Sequence, residues 1–207
     1  MKNNYVLMLL FVVKVFGQEI TVKDSISKTN PILFIESFLG SGGGAKGGLF
    51  LISGTLNYQF NKKHLISARY VANSSFSNSY IETSPFTTFL TFAKTETQSE
   101  IGVLYGKRFI NNNNSVSLST GISFTGRNYY NEGKKIFDNY FGIPIEISVK
   151  WFKGKKTRFR AYYGFIPIGK KKVSFGRSVG IKLIGNFSRS GYIAFGFSYG
   201  FGWHKKY

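Results

Sequence analysis

Four stretches of this chain alternate large apolar residues with small or polar ones for about ten residues each, with Gly54 and Thr120 standing on the apolar parity of the first two. In 50–60, Phe50, Ile52, Leu56, Tyr58 and Phe60 share one parity, against Leu51, Ser53, Thr55, Asn57 and Gln59. In 116–126, Val116, Leu118, Ile122 and Phe124 alternate with Ser117, Ser119, Gly121, Ser123 and Thr125. In 141–151, Phe141, Ile143, Ile145, Ile147, Val149 and Trp151 oppose Gly142, Pro144, Glu146, Ser148 and Lys150. In 193–203, Ile193, Phe195, Phe197, Tyr199, Phe201 and Trp203 alternate with Ala194, Gly196, Ser198, Gly200 and Gly202. Side chains on a strand point alternately to its two faces, so each stretch reads as a strand with one apolar and one small or polar face. Aromatics at 18% of residues, 24 Gly and only four Pro suit strands and tight turns.

Alternation alone does not say which face is wet. About ten residues is the length that a tilted strand needs to cross a bilayer, and an aromatic-ended apolar face opposite Gly, Ser, Thr and isolated charges is the apolar-out, polar-in pattern of a transmembrane barrel. The expectation is an all-β, up-and-down antiparallel transmembrane barrel. With the faces reversed, the same pattern gives a soluble periplasmic, lipocalin-like barrel. Further candidate strands at 31–40, 64–76, 98–110, 158–167 and 178–187 bring the count to nine. Bacterial single-chain barrels have an even number, so eight to ten strands are expected, with one candidate in a loop or one strand missed. Residues 61–63, 111–114 and 153–156 read as short turns, and 77–97 and 128–138 as long external loops.

Residues 1–17 run from Lys2 through an apolar stretch to the small Gly17, with Lys14 late in it, which matches a secretory signal peptide. Residues 18–30 are a polar lead-in, and 31–207 the barrel. The formal net charge is +19. Such a balance favours acidic partners. Without a nucleic-acid-binding module, outer-membrane lipid and lipopolysaccharide phosphates rank ahead of nucleic acid. The chain has no Cys, and a closed barrel needs none.

The stretch 175–188 (FGRSVGIKLIGNFS), the closing stretch 192–207 (YIAFGFSYGFGWHKKY), Gly102 to Arg108 and Gly142 to Glu146 resemble small outer-membrane β-barrel proteins of Bacteroidota. The resemblance implies an outer-membrane barrel, and it brings no catalytic residues with it. The terminal aromatic Tyr207 is similar to the ending of proteins inserted by the barrel-assembly machinery.

If the apolar parity faces lipid, the other parity places Glu36, Arg69, Glu100, Arg108, Glu146, Lys150, Arg158, Arg160 and Lys182 in the lumen. An eight-stranded barrel is narrow enough to be filled by side chains, and charges there must be paired. The bland reading is a structural ion network; the sharper one is a narrow path for ions or solutes. Tyr129, Tyr130, Tyr140, Trp151, Tyr199 and Trp203 are candidates for interfacial girdles. His64 and His204 read as rim residues. The glycine-rich 40–48 lacks the Ser or Thr of a phosphate-binding loop after Lys46 and reads as a flexible hairpin loop. Lys134–Lys135, Lys153 to Lys156 and Lys170 to Lys172 read as solvated turns or lipopolysaccharide-binding clusters. No catalytic group, metal site or cofactor is expected, and the chain reads as a monomer. The expected role is structural or surface interaction through external loops; a small channel and a lipid-modifying enzyme are the alternatives.

Overall fold

The alternating stretches form ten strands: β1 (Ile32–Gly44), β2 (Gly47–Phe60), β3 (His64–Ser84), β4 (Thr87–Ile110), β5 (Asn114–Asn131), β6 (Lys134–Phe152), β7 (Thr157–Ala161), β8 (Ile166–Val173), β9 (Gly176–Phe187) and β10 (Tyr192–Gly202). The structure, a computed structural model, describes the backbone of residues 30–206 except 46, 85–86, 132–133 and 162–165, and the side chains of these except at 77–95, 130–134 and 157–173. The expected signal peptide (1–17), the lead-in (18–30) apart from Asn30, and Tyr207 lie outside the described residues.

Eight strands close into an antiparallel barrel in the order β1-β10-β9-β6-β5-β4-β3-β2, and β7 and β8 make a separate two-stranded sheet. The candidate strand 158–167 is therefore not part of the wall. β6 pairs directly with β9, from Ile143 opposite Phe187 to Phe152 opposite Ser178, which leaves no place for it. At five residues, β7 is also too short to cross a bilayer.

Two further expectations need correction. Residues 77–97 and 128–138 are largely strand rather than loop. β3 and β4 stay paired from Ser79 opposite Phe92 to Ser84 opposite Thr87, and β5 and β6 stay paired out to Asn131 opposite Lys134. These Ser-, Thr- and aromatic-rich stretches have high strand propensity, and pairing satisfies their backbone groups. The glycine segment 40–48 is likewise mostly ladder, with the reversal confined to two residues between Gly44 and its partner Gly47.

The apolar parity points outward. Ile35, Leu39, Ile52, Ile101, Ile122, Phe141 and Phe197 are exposed, while Ser53, Thr55, Asn57, Arg69, Glu100 and Ser148 on the other parity are buried. This reverses the arrangement that a lipocalin-like soluble barrel requires.

The ring is staggered. Followed from Glu36 through Thr55, Arg69, Gly102 and Ser123, the register reaches Gly142 on β6. Followed the other way, through Gly200 and Ser178, it reaches Phe152, ten residues further along the same strand. Such stagger tilts the strands, so residues at one height in the lumen come from distant places in the sequence.

Closure depends on the seam between β1 and β10. Gly40 is opposite Gly196, and Gly42 opposite Ala194. A Cβ at Gly42 would lie 1.9 Å from the Ile193 carbonyl oxygen, and one at Gly196 would lie 2.1 Å from that of Leu39. Both obstacles are backbone, so the strands would have to part. Gly42→Val and Gly196→Val are expected to cost at least the ~1–3 kcal/mol of overpacking and to abolish the gel shift between boiled and unboiled protein. Gly43→Ala, with nothing within 4 Å of its Cβ, should keep that shift.

Candidate functional site

The lumen is built in three tiers. At the end where Asn30 and Lys206 lie, the first and last described residues, Arg108 donates to Gln59 Oε1 at 3.0 Å, to the His204 carbonyl at 2.9 Å and, through Nε and Nη2, to Ser115 Oγ at 3.1 and 2.9 Å. Its guanidinium lies 4.8 Å from the Phe34 ring centroid and 5.7 Å from that of Phe152. His204 is 2% exposed and packs on both of these rings, so it is a floor of the lumen and not the rim residue expected. It follows the end of β10, and its imidazole is pushed down to about 3, by burial first and then by Arg108 and Lys150. It is neutral at pH 7. His64 does sit at the outer edge, within hydrogen-bond distance of the Tyr105 hydroxyl.

The middle tier is an ion network. Lys182 bridges Glu36 Oε1 and Glu146 Oε1, each at 2.8 Å. Lys150 also donates to Glu36. Arg69 pairs with Glu100 at 2.6 Å and reaches Glu146 at 3.7 Å. Glu36, Arg69, Glu100, Glu146, Lys150 and Lys182 are all nearly fully buried. Desolvation of each charge is costly, and here each is offset by at least one opposite charge.

Above it, Glu100 Oε2 accepts from Asn186 at 2.5 Å and from the Tyr192 hydroxyl at 2.7 Å. A second acid follows: Glu96 accepts from Arg127 at 2.7 Å, from the Ser190 hydroxyl at 3.0 Å and from Gln98. Phe38, Leu49, Leu51, Val71 and Ile184 form a buried apolar cluster in the same interior, which is therefore more apolar than the small-polar face expected.

Of the nine sequence candidates, Glu36, Arg69, Glu100, Arg108, Glu146, Lys150 and Lys182 converge in this interior. Arg158 and Arg160 do not. They belong to β7, which is outside the ring, and their side chains lie outside the described residues. The alternation had been extended across a segment that is not in the wall. Glu96 was missed because 77–97 reads as loop, and Arg127 because the strand at 116–126 reads as ending one residue before it; each nevertheless shares the parity of a buried neighbour, Gln98 and Thr125.

The girdle also needs correction. Trp151 and Tyr199 face outward, and Trp203 packs edge-on to Phe175 just past β10. Tyr140 and Tyr129 are on the lumen parity, opposite buried Thr125 and Glu96. Arg127 lies 4.2 Å over the Tyr129 ring. The Tyr130 side chain lies outside the described residues. Tyr58 and Tyr105, exposed near the end where Asn30 and Lys206 lie, complete an outward aromatic set with Trp151 and Tyr199.

No family model and no curated protein matches this chain. Solved structures do. Neisserial surface protein A (NspA) matches with a TM-score of 0.50 and 9% identity, over 86% of this chain and 100% of that one. Ail, the attachment invasion locus protein of Yersinia pestis, matches with a TM-score of 0.48 and 8% identity, over 86% and 99%. The N-terminal β-barrel domain of Pseudomonas aeruginosa OprF matches with a TM-score of 0.47 and 10% identity, over 84% and 99%. At these identities the likeness is one of fold alone.

Lys182→Met removes the buried cation shared by Glu36 and Glu146, leaving Glu36 with Lys150 and Glu146 with Arg69 at 3.7 Å. It is expected to cost about 3–5 kcal/mol, read as a fall in the urea midpoint of protein folded in lipid vesicles. Arg189→Ala breaks the pair with Asp138, whose arginine side chain is 73% exposed, and should cost no more than about 1 kcal/mol.

Proposed function

We propose that this chain is an outer-membrane surface-interaction protein that works through the paired strand extensions at the end away from Asn30 and Lys206, with its lumen serving as a structural plug. One observation carries the reading: the lumen is filled across three tiers by paired charges and apolar side chains, while β3 and β4 run on as a ribbon well past the last pairing of β3 with β2, at Phe76. A narrow conduit would need unfilled, hydrated space along the axis. The outward apolar wall supports a bilayer location, because apolar side chains of this number on a soluble surface would drive aggregation. Outer-membrane lipid and lipopolysaccharide would then surround a single copy inserted by the barrel-assembly machinery, and no cofactor is invoked.

Orientation follows from how far each connection, counted with the paired extensions of its strands, runs beyond the wall. Three residues each, 61–63 and 111–113, join β2 to β3 and β4 to β5 at the end where Asn30 and Lys206 lie. Short turns mark the periplasmic end of such barrels. The β3–β4 and β5–β6 ribbons then face the exterior, and their backbone edges past the wall are available to a partner strand.

An epitope tag inserted at 85–86 should be labelled on intact cells, and the protein should form no steady conducting level in planar bilayers. Labelling only after permeabilisation would reverse the orientation and end the surface reading. A reproducible conductance would replace it with the channel.

A further inference from the structure

The connection between β6 and β9, residues 153–175, breaks the rule that sets the orientation. It is the long one at the short-turn end, and it folds into its own hairpin, β7–β8, with Thr157 opposite Val173 and Ala161 opposite Ile166. It contains eight Lys and Arg and no Asp or Glu. The surrounding rim adds Lys62, Lys63, Lys107, Arg177, Lys205 and Lys206, again without an acid in the adjoining turns and tail. Half of the chain's 28 basic residues therefore gather in these turns, hairpin and tail, and none of the acids of the described residues lies among them. The opposite end is mixed among the described residues: Glu82, Glu96 and Asp138 accompany Lys94, Arg127, Lys134, Lys135 and Arg189.

We propose that the β7–β8 hairpin and the rim beside it form a docking surface for anionic phospholipid headgroups of the periplasmic leaflet. The assignment of leaflet rests on the orientation proposed above; the attraction to lipid phosphate does not. Three observations favour lipid over a soluble acidic partner. The basic residues lie immediately beyond an outward set of Tyr58, Tyr105, Trp151 and Tyr199, and amphipathic aromatics sit at headgroup level. The hairpin is tethered at both ends to the rim, at Phe152 and Gly176, which holds it within reach of that level. Its sequence interleaves the charges with Phe159, Tyr162, Tyr163, Phe165, Ile166 and Ile168, a basic and aromatic composition suited to an interface. Clusters of four to eight Lys or Arg beside a membrane span attract anionic headgroups, and the attraction falls off within a Debye length, about 8 Å at physiological ionic strength.

The two tryptophans of the chain, Trp151 and Trp203, are both at this end and report on it without labelling. Full-length protein is reconstituted in phosphatidylcholine vesicles containing brominated phosphatidylglycerol or, at the same mole fraction, brominated phosphatidylcholine, and tryptophan quenching is compared. Quenching by the anionic lipid is expected to exceed that by the zwitterionic one, with a relative binding constant of at least about three and a decline toward one in 0.5 M salt. Replacing Lys153, Lys155, Lys156, Lys170, Lys171 and Lys172 by Gln should remove most of the preference. Equal quenching in the wild type would overturn the proposal, and retention of that protein on purified peptidoglycan sacculi would then assign the surface to the cell wall. A preference that survives the six substitutions would overturn the role of the hairpin. The gel shift on boiling, measured on the same vesicles, separates these outcomes from failure of the membrane reading: without a shift there is no inserted barrel, and that reading falls first.

Discussion

Every backbone group in the wall has to find its partner inside the ring, because the outer face is apolar and offers no hydrogen bonds. Pairing of β1 with β10 completes that ring. The glycines at this seam, Gly40 and Gly42 against Gly196 and Ala194, let the strands approach where a side chain would strike backbone. An eight-membered ring then leaves an interior only as wide as the side chains that fill it, and this decides what the lumen can be.

Filling it with charge is expensive unless every charge has a partner. The described buried set has four carboxylates and five cations. Lys182 and Arg69 each reach two carboxylates, and Glu36 receives two lysines. The odd cation, Arg108, is satisfied instead by Gln59, Ser115, a backbone carbonyl and two aromatic rings. The tail supplies that carbonyl, so the residues after β10 are part of the lumen's floor. Asn30, just before β1, joins the same tail by donating to the Lys205 carbonyl at 2.8 Å.

With the interior occupied, interaction falls to the two ends, and the ends differ. One carries long paired ribbons of mixed charge; the other carries the cluster of lysines and arginines around the β7–β8 hairpin, whose connection 153–175 holds no acid. A net charge of +19 spread evenly would say only that the protein is basic. With half of the basic residues gathered at one end, the two ends of the barrel differ in charge.

The alternation of 50–60, 116–126, 141–151 and 193–203 was enough to determine strands, an all-β barrel, and which side chains share a face, because side-chain parity is local to each strand. The same parity, carried through 31–40, 64–76, 98–110 and 178–187, also brought Glu36, Arg69, Glu100 and Lys182 to one interior with Glu146. Which residues meet there was decided by the tertiary structure. Lys150 reaches Glu36 across 114 positions of sequence because the ring is staggered, and stagger belongs to the closed sheet, not to any one strand. The same closure excluded β7, turned Tyr140 and Tyr129 inward, drew His204 into the floor, and fixed the count at eight by pairing β6 with β9.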